Sequence, residues 1–197
     1  MQILLASSNP GKLRECRELA AGSPFEINLL PNFREAPPFE ESAPTFAENG
    51  AGKALHYSRF TNQVVLADDS GLVVPALGGL PGVYSARYAG PNAADADCVR
   101  KLLRDMNGKV GDERRARFIC VMAAARQGRA LVVVSGSAEG VLANAPRGTN
   151  GFGYDPVFCF PDTGHSYAEA SREEKNRHSH RGKAFRKLCE FLSSGNS

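Results

Sequence analysis

A chain of 197 residues, 42% of them hydrophobic, can bury one sizeable core and is too short to read as two independent domains. No apolar run approaches the roughly 20 residues that cross a bilayer, and the five cysteines, odd in number and without a C-x-x-C pair, fit reduced core thiols rather than a structural zinc. A net charge of +3 excludes no partner class by itself, although much of the basic excess gathers between Arg172 and Lys187. The expectation is a single domain over residues 1–197, with no charged leader, no membrane association and a cytoplasmic setting.

In chain order, residues 2–6 read as a strand running into the polar turn Ser7-Ser8-Asn9-Pro10-Gly11-Lys12. Leu13, Cys16, Leu19 and Ala20 then recur at helical spacing. Residues 26–30 read as a second strand and the Pro- and Glu-rich stretch 31–44 as an exposed loop. Thr45 with Glu48 three residues on is a capping-box pattern that predicts a helix to about residue 58, weakened by Gly50 and Gly52 at about 1 kcal/mol each. The apolar run 64–67 predicts a short buried strand ending at Asp68-Asp69-Ser70-Gly71 before Leu72-Val73-Val74 resumes. A turn-rich connector at 78–82 precedes a helix over 94–106. Residues 117–125 and 130–137 predict a hairpin turning at Gln127-Gly128, residues 157–160 a strand, and 183–192 a final helix. Strands and helices alternate early and strands dominate later, which gives a mixed α/β class.

Four stretches carry residue types that chemistry needs. The turn 7–12 joins a strand to a helix, where backbone N–H groups and the helix dipole favour a bound phosphate and Lys12 adds charge. It is not a Walker loop, because Leu13 stands where that loop has its metal-binding hydroxyl; read alone, it is equally an ordinary capped turn. Asp68 and Asp69 offer hard oxygen donors for Mg²⁺ and a carboxylate to orient water, and like charges so close repel unless a cation balances them. The plain alternative is a solvated Asp-Ser-Gly turn. Glu40 and Glu41, in the acidic loop, are further candidate ligands or simply solvated charges.

Gly151-Phe152-Gly153-Tyr154-Asp155 sets aromatics on glycines, which suits a stacked base, or equally a core plug at a strand start. Lys175 and Ser179-His180-Arg181-Gly182 precede the final helix. Imidazole and guanidinium N–H groups can donate to O6 and N7 of an oxopurine, whereas adenine presents an amino donor at C6. Such a basic run is also what a solvated face or a nucleic-acid patch looks like.

Taken in order, Ser7-x-Asn9-x-x-Lys12, Glu48-Asn49-x-x-x-Lys53, Asp68-Asp69-Ser70-Gly71-Leu72, Gly78-Gly79-x-Pro81-Gly82, Ser85-Ala86-Arg87-Tyr88, Gly151-Phe152-Gly153-Tyr154-Asp155-Pro156 and Ser179-His180-Arg181-Gly182 resemble the motif series of the XTP/dITP diphosphatase family, which includes the inosine triphosphate pyrophosphatases. The series spans nearly the whole chain. The resemblance implies an elongated, two-lobed mixed α/β fold with a central cleft, a homodimer, and Mg²⁺-dependent hydrolysis of non-standard purine nucleoside triphosphates to monophosphate and pyrophosphate. It implies that Ser7, Ser8, Asn9, Pro10, Gly11, Lys12 and Lys53 hold the triphosphate, that Asp69 is metal ligand and general base with Asp68 in support, and that Ser70 lies beside the substrate. Phe152, Gly153, Tyr154 and Asp155 would contact base and sugar, Lys175 the nucleotide, and His180 with Arg181 the six-keto group.

Where family members often carry Thr-Gly before the Asn, this chain has Ser7-Ser8, which keeps a hydroxyl and adds a Cβ; the change bears on phosphate affinity rather than reaction type. The acidic loop varies in the family, so the resemblance does not choose between Glu40 and Glu41. Two rival readings make different demands. A Maf-like pyrophosphatase for other modified or pyrimidine nucleotides has no use for the Phe-Gly-Tyr-Asp and Ser-His-Arg elements. A nucleic-acid-binding domain using residues 172–187 has none for the two aspartates, and the expectation is that there is no stable nucleic-acid partner.

Overall fold

The computed structural model describes residues 1–195. Its hydrogen-bonded strand order is β2 (Glu26–Leu29), β1 (Gln2–Leu5), β3 (Val64–Val73), β4 (Arg115–Arg126), β5 (Arg129–Leu142), β6 (Phe158–Cys159), and the chain divides into two compact units. The first takes residues up to Asp69, Cys120–Gly136 and the chain from His180 onward; the second takes Ser70–Ile119 and Ser137–Ser179.

In the first unit β1 (Gln2–Leu5) lies between β2 (Glu26–Leu29) and β3 (Val64–Val73), parallel to both, with Leu4 opposite Asn28 on one side and Val65 on the other. Because side chains alternate along a strand, each strand divides its residues between two faces. Ile3, Leu5, Val64, Leu66 and Met122 pack on one face with Cys16 and Ala20 of α1 (Pro10–Ala20) and Phe185 and Leu188 of α5 (His180–Ser193). Leu4, Ala6, Val65, Ala67 and Ala123 pack on the other with Ala54 and Tyr57 of α2 (Phe46–Tyr57). Strands buried on both faces read as unbroken apolar runs, which is why 64–67 shows no alternation. β4 (Arg115–Arg126) turns into β5 (Arg129–Leu142) through Gln127 and Gly128, whose φ values of 51° and 76° are those of a two-residue hairpin turn.

The second unit has its own core of Leu72, Leu102, Phe118, Phe158 and Tyr167, with α3 (Asp95–Asp105), α4 (Arg172–His178) and the short β6 (Phe158–Cys159), which pairs antiparallel with β5 through Leu142 opposite Phe158. Arg114, buried, donates to the carbonyl oxygens of Leu142 and Ala143 at 2.7 and 2.8 Å and to that of Lys109 at 3.2 Å, satisfying backbone groups where α3 and β5 end.

The mixed α/β expectation holds, with five local differences. β3 does not stop at Asp68 but runs on to Val73, so both aspartates lie within a strand. The hairpin strands extend further than their apolar runs, and the strand expected over 157–160 shrinks to two residues. The final helix starts at His180, because the polar residues 180–183 are its first turn. The basic stretch before it contains α4, capped by Ser171, whose Oγ accepts from the Glu174 N–H at 3.1 Å. All five cysteines are free thiols and four are buried, and among the described residues no helix is long and apolar enough to cross a membrane.

Candidate active site

The strand alternation that builds the core also separates the two aspartates. Asp68 follows Val64 and Leu66 onto the face covered by α1 and α5, and Asp69 follows Val65 and Ala67 onto the face covered by α2. Asp68 is 1% exposed, with Oδ2 3.1 Å from Lys12 Nζ and 3.1 Å from Arg181 Nη2. The other guanidinium arm of Arg181 reaches Glu15 Oε2 at 2.5 Å, so Glu15, Arg181, Asp68 and Lys12 form a buried chain of alternating charge joining α5, α1 and β3. Burial alone would raise the Asp68 carboxyl, but Lys12 and Arg181 outweigh it and hold the group well below the usual carboxylate range. Lys12 is correspondingly raised, its own burial being outweighed by Asp68.

Asp69 behaves oppositely. Burial, with Glu41 and Asp68 adding like charge against the pull of Lys12 and Asn49, pushes its carboxyl up to about 6. Its Oδ2 accepts from Asn49 Nδ2 at 3.0 Å. Glu41, half-buried, pairs with Lys53 of α2 at 2.5 Å, so the acidic loop brings Glu41 toward the Asp69 face while Glu40 stays exposed. A cationic ligand would relieve the cost at Asp69, and the oxygens of Asp69 and Glu41 are hard donors that suit a hard metal cation.

The turn 7–12 is a capped helix start. Asn9 Oδ1 accepts from the N–H groups of Gly11 and Lys12 at 2.8 and 3.2 Å, Pro10 takes the first helical position, and Ser7 Oγ accepts from the Asn9 N–H at 3.2 Å. The backbone donors expected to cradle phosphate are thus largely used within the turn, and what it offers a ligand is side chains. A cavity of about 540 Å³ opens beside it, lined by Ser7, Ser8, Asn9 and Pro10 and by the loop residues Asn32, Arg34 and Glu35.

His180 and Arg181 open α5 and are 4% and 2% exposed. Their position depends on Gly136 of β5: a Cβ there would collide with the His180 carbonyl oxygen and come within 2.6 Å of the Ala184 nitrogen. Gly136→Ala must therefore displace the first turn of α5, at about 1–3 kcal/mol, and turnover of nucleotide should fall with it. Thermal melts and pyrophosphate release together check this; a variant with wild-type values for both would show that the helix has room to move.

In the second unit Asp155 is the centre. Its Oδ2 accepts from the Phe152 N–H at 2.8 Å and is ion-paired with Lys175 Nζ. The ammonium lies 5.3 Å from the Phe152 ring centroid and 5.9 Å from that of Tyr167. Gly151 has φ 77°, and a Cβ there would strike the Asp155 carboxylate. Tyr154 is a core residue whose hydroxyl donates to the Ser85 carbonyl at 2.8 Å, whereas Phe152 is only half-buried. Of the two aromatics, Tyr154 follows the core-plug reading and Phe152 is the more exposed.

The model of the Ham1 family matches residues 3–191. The chain belongs to the Ham1 family. It is 50% identical over 189 residues to the dITP/XTP pyrophosphatase of Geobacillus kaustophilus, covering 96% of this chain and 93% of that one. It is 47% identical over 195 residues to that of Thermus thermophilus, covering 99% and 93%. Among solved structures it resembles a HAM1 protein from Coxiella burnetii with TM-score 0.86 at 40% identity, covering 98% and 99% of the two chains, and the Staphylococcus aureus Ham1 protein with TM-score 0.85 at 36% identity, covering 99% and 100%.

In this Ham1 chain the expected residues fall into two groups. Ser7 to Lys12, Lys53, Asp69, His180 and Arg181 lie in the first unit, and Ser70, Phe152 to Asp155 and Lys175 in the second. Sequence reasoning passed over Glu15, Asn49 as a partner of Asp69, and Gly136. Asn49 stood inside the Glu-Asn-x-x-x-Lys motif, but only Lys53 was given work; Glu15 carried no local signal beyond being a charged residue on a helix.

Proposed function

We propose that this chain is a pyrophosphatase that hydrolyses the non-standard purine nucleoside triphosphates ITP, dITP and XTP to monophosphate and pyrophosphate, keeping these bases out of nucleic acids, with Mg²⁺ as its metal. The observation that carries the reading is the division of labour between adjacent carboxylates: Asp68 is consumed by internal cations, and Asp69, beside Glu41, is held at a cost that a metal-bound substrate would relieve. The relatives named dITP/XTP pyrophosphatase supply the substrate class.

Asp69 and Glu41 would hold the metal, which when bound neutralises phosphate charge. Asp69, predominantly ionised at neutral pH, takes a proton from the attacking water; the water oxygen bonds to phosphorus, the α–β anhydride bond breaks and pyrophosphate leaves. Lys12, Lys53 and the polar side chains of Ser7, Ser8 and Asn9 meet the charge of the leaving group, with Pro10 and Gly11 setting the turn that presents them. Ser70 lies beside the substrate. Phe152, Gly153 and Asp155 serve base and sugar, with Tyr154 anchoring that segment in the core of its unit, Lys175 reaches the nucleotide, and His180 reads the six-keto group while Arg181, tied to Glu15 and Asp68, holds the start of the helix that carries it. Residues 1–197 act as one pyrophosphatase domain, working in the cytoplasm as a homodimer, a state that sedimentation of the purified protein would check.

The test is pyrophosphate release with ITP and XTP against ATP, GTP and dUTP under one set of conditions. The expected result is a preference in kcat/KM of about 10²-fold or more for ITP and XTP over ATP, abolished by chelator. Preferential dUTP turnover would move the assignment to a Maf-like specificity, and absence of turnover with salt-sensitive polynucleotide binding would replace it altogether.

A further inference from the structure

The geometry points to Asn49 as a positioning residue that holds the Asp69 carboxylate and the Glu41-bearing loop in one register, so that both carboxylates present to a single cation. Asn49 is 1% exposed, and its side-chain amide is engaged at both ends. Nδ2 donates to Asp69 Oδ2 at 3.0 Å and to the Ala43 carbonyl at 3.2 Å, and Oδ1 accepts from the Ala43 N–H at 3.0 Å. Ala43 lies two residues after Glu41 in a stretch without regular structure, and this two-point clasp is a complete pair of peptide hydrogen bonds made by one side chain. Asn is suited to the task because it carries donor and acceptor on one planar group; Asp lacks the donors, and Gln places them one methylene further out.

The next residue eases the approach. A Cβ at Gly50 would stand 3.2 Å from the Val121 carbonyl oxygen and 3.4 Å from the Asp69 nitrogen, tighter than an ordinary contact, so the absence of a side chain at position 50 lets α2 lie this close to β3 without displacing its neighbours. The glycine that weakens the helix in isolation lets its neighbour reach the carboxylate. By donating to one carboxylate oxygen Asn49 also fixes the orientation of the Asp69 group toward a cation or a water, the usual work of an outer-shell partner.

This inference rests on the metal-dependent pyrophosphatase reading, and its test separates the two. Asn49→Ala removes the whole clasp; Asn49→Gln keeps donor and acceptor but moves them one methylene out of place. In both, the Mg²⁺ concentration that half-saturates ITP hydrolysis should rise about 10- to 100-fold, and kcat should fall while KM for ITP at saturating metal stays near the wild-type value. Mn²⁺ binding to the nucleotide-free protein, read by electron paramagnetic resonance, should weaken by a similar factor. Folded variants with wild-type metal dependence and Mn²⁺ binding overturn the proposal. If neither variant folds, the side-chain amide resonances of Asn49 in ¹⁵N-labelled wild-type protein decide: they should shift on Mg²⁺ addition, and unmoved resonances overturn it. Mn²⁺ binding that depends on Asn49, in a protein that releases no pyrophosphate from ITP or XTP, sinks the functional reading and leaves the placement of Asn49 standing.

Discussion

Asp69→Asn is expected to lower pyrophosphate release from ITP by about 10³-fold or more while leaving the fold intact, because removal of a general base costs roughly 10²–10⁴ and loss of a metal ligand adds to it. The sign of its stability effect follows from the direction of its shift. Burial with neighbouring negative charge raises the folded-state carboxyl to about 6, so in metal-free protein the ionised group is less favourable folded than unfolded. The neutral amide removes that cost, and the chelated variant should melt no lower than chelated wild type. Single-turnover assays and thermal melts on the same preparations read both quantities. A variant that keeps a tenth of its activity would remove Asp69 from the proton transfer, and one that melts well below wild type would turn the activity loss into a folding effect.

Asp68→Asn, one residue away, should do the reverse and strike stability. It leaves Lys12 and Arg181 facing a neutral amide at a site 1% exposed, and loss of one partner of a buried ion pair costs about 3–5 kcal/mol. For a chain of this size that corresponds to a fall in Tm on the order of 10 °C. The pH dependence has a definite sign. Burial opposes ionisation, but Lys12 and Arg181 hold the folded-state carboxyl below its unfolded value of about 4. The stabilisation is therefore complete above about pH 4 and is lost as the pH falls further toward the folded-state value. Urea unfolding of wild type and variant between pH 7 and pH 3 should show the stability gap narrow on the acid side. A gap absent at pH 7 would mean that Glu15 alone satisfies Arg181, and a gap unchanged down to pH 3 would mean that Asp68 is not the titrating group.

Much of this protein was legible in its residues because the informative features are local. Thr45 and Glu48 mark the start of α2, with the Thr45 hydroxyl accepting from the Glu48 N–H at 3.2 Å. Asn9 and Pro10 mark α1, and Gln127-Gly128 marks the hairpin. The motif series was enough to propose the family, since each element is a short run of contiguous residues. What was missed is long-range in every case. A run of Asp-Asp-Ser-Gly reads as a turn because those residues favour turns, yet tertiary partners override that propensity: Lys12, Arg181 and Asn49 compensate buried charge and let a strand run straight through it. Glu15 and Arg181 are 166 positions apart and meet at 2.5 Å, and no periodicity in either helix announces the pair.

The sequence by itself pointed to the class of chemistry through the ordered motif series, in which a strand-to-helix turn with Lys12, two adjacent carboxylates, glycine-set aromatics and a basic run before the final helix recur together. It also named most of the candidate residues. Only the tertiary structure decided how the carboxylates divide their roles, since neighbouring residues on a strand face opposite sides and what covers each side comes from distant parts of the chain. Asp68 meets two cations and becomes a structural anion; Asp69 meets an amide and another carboxylate, and its charge is the one held at a cost.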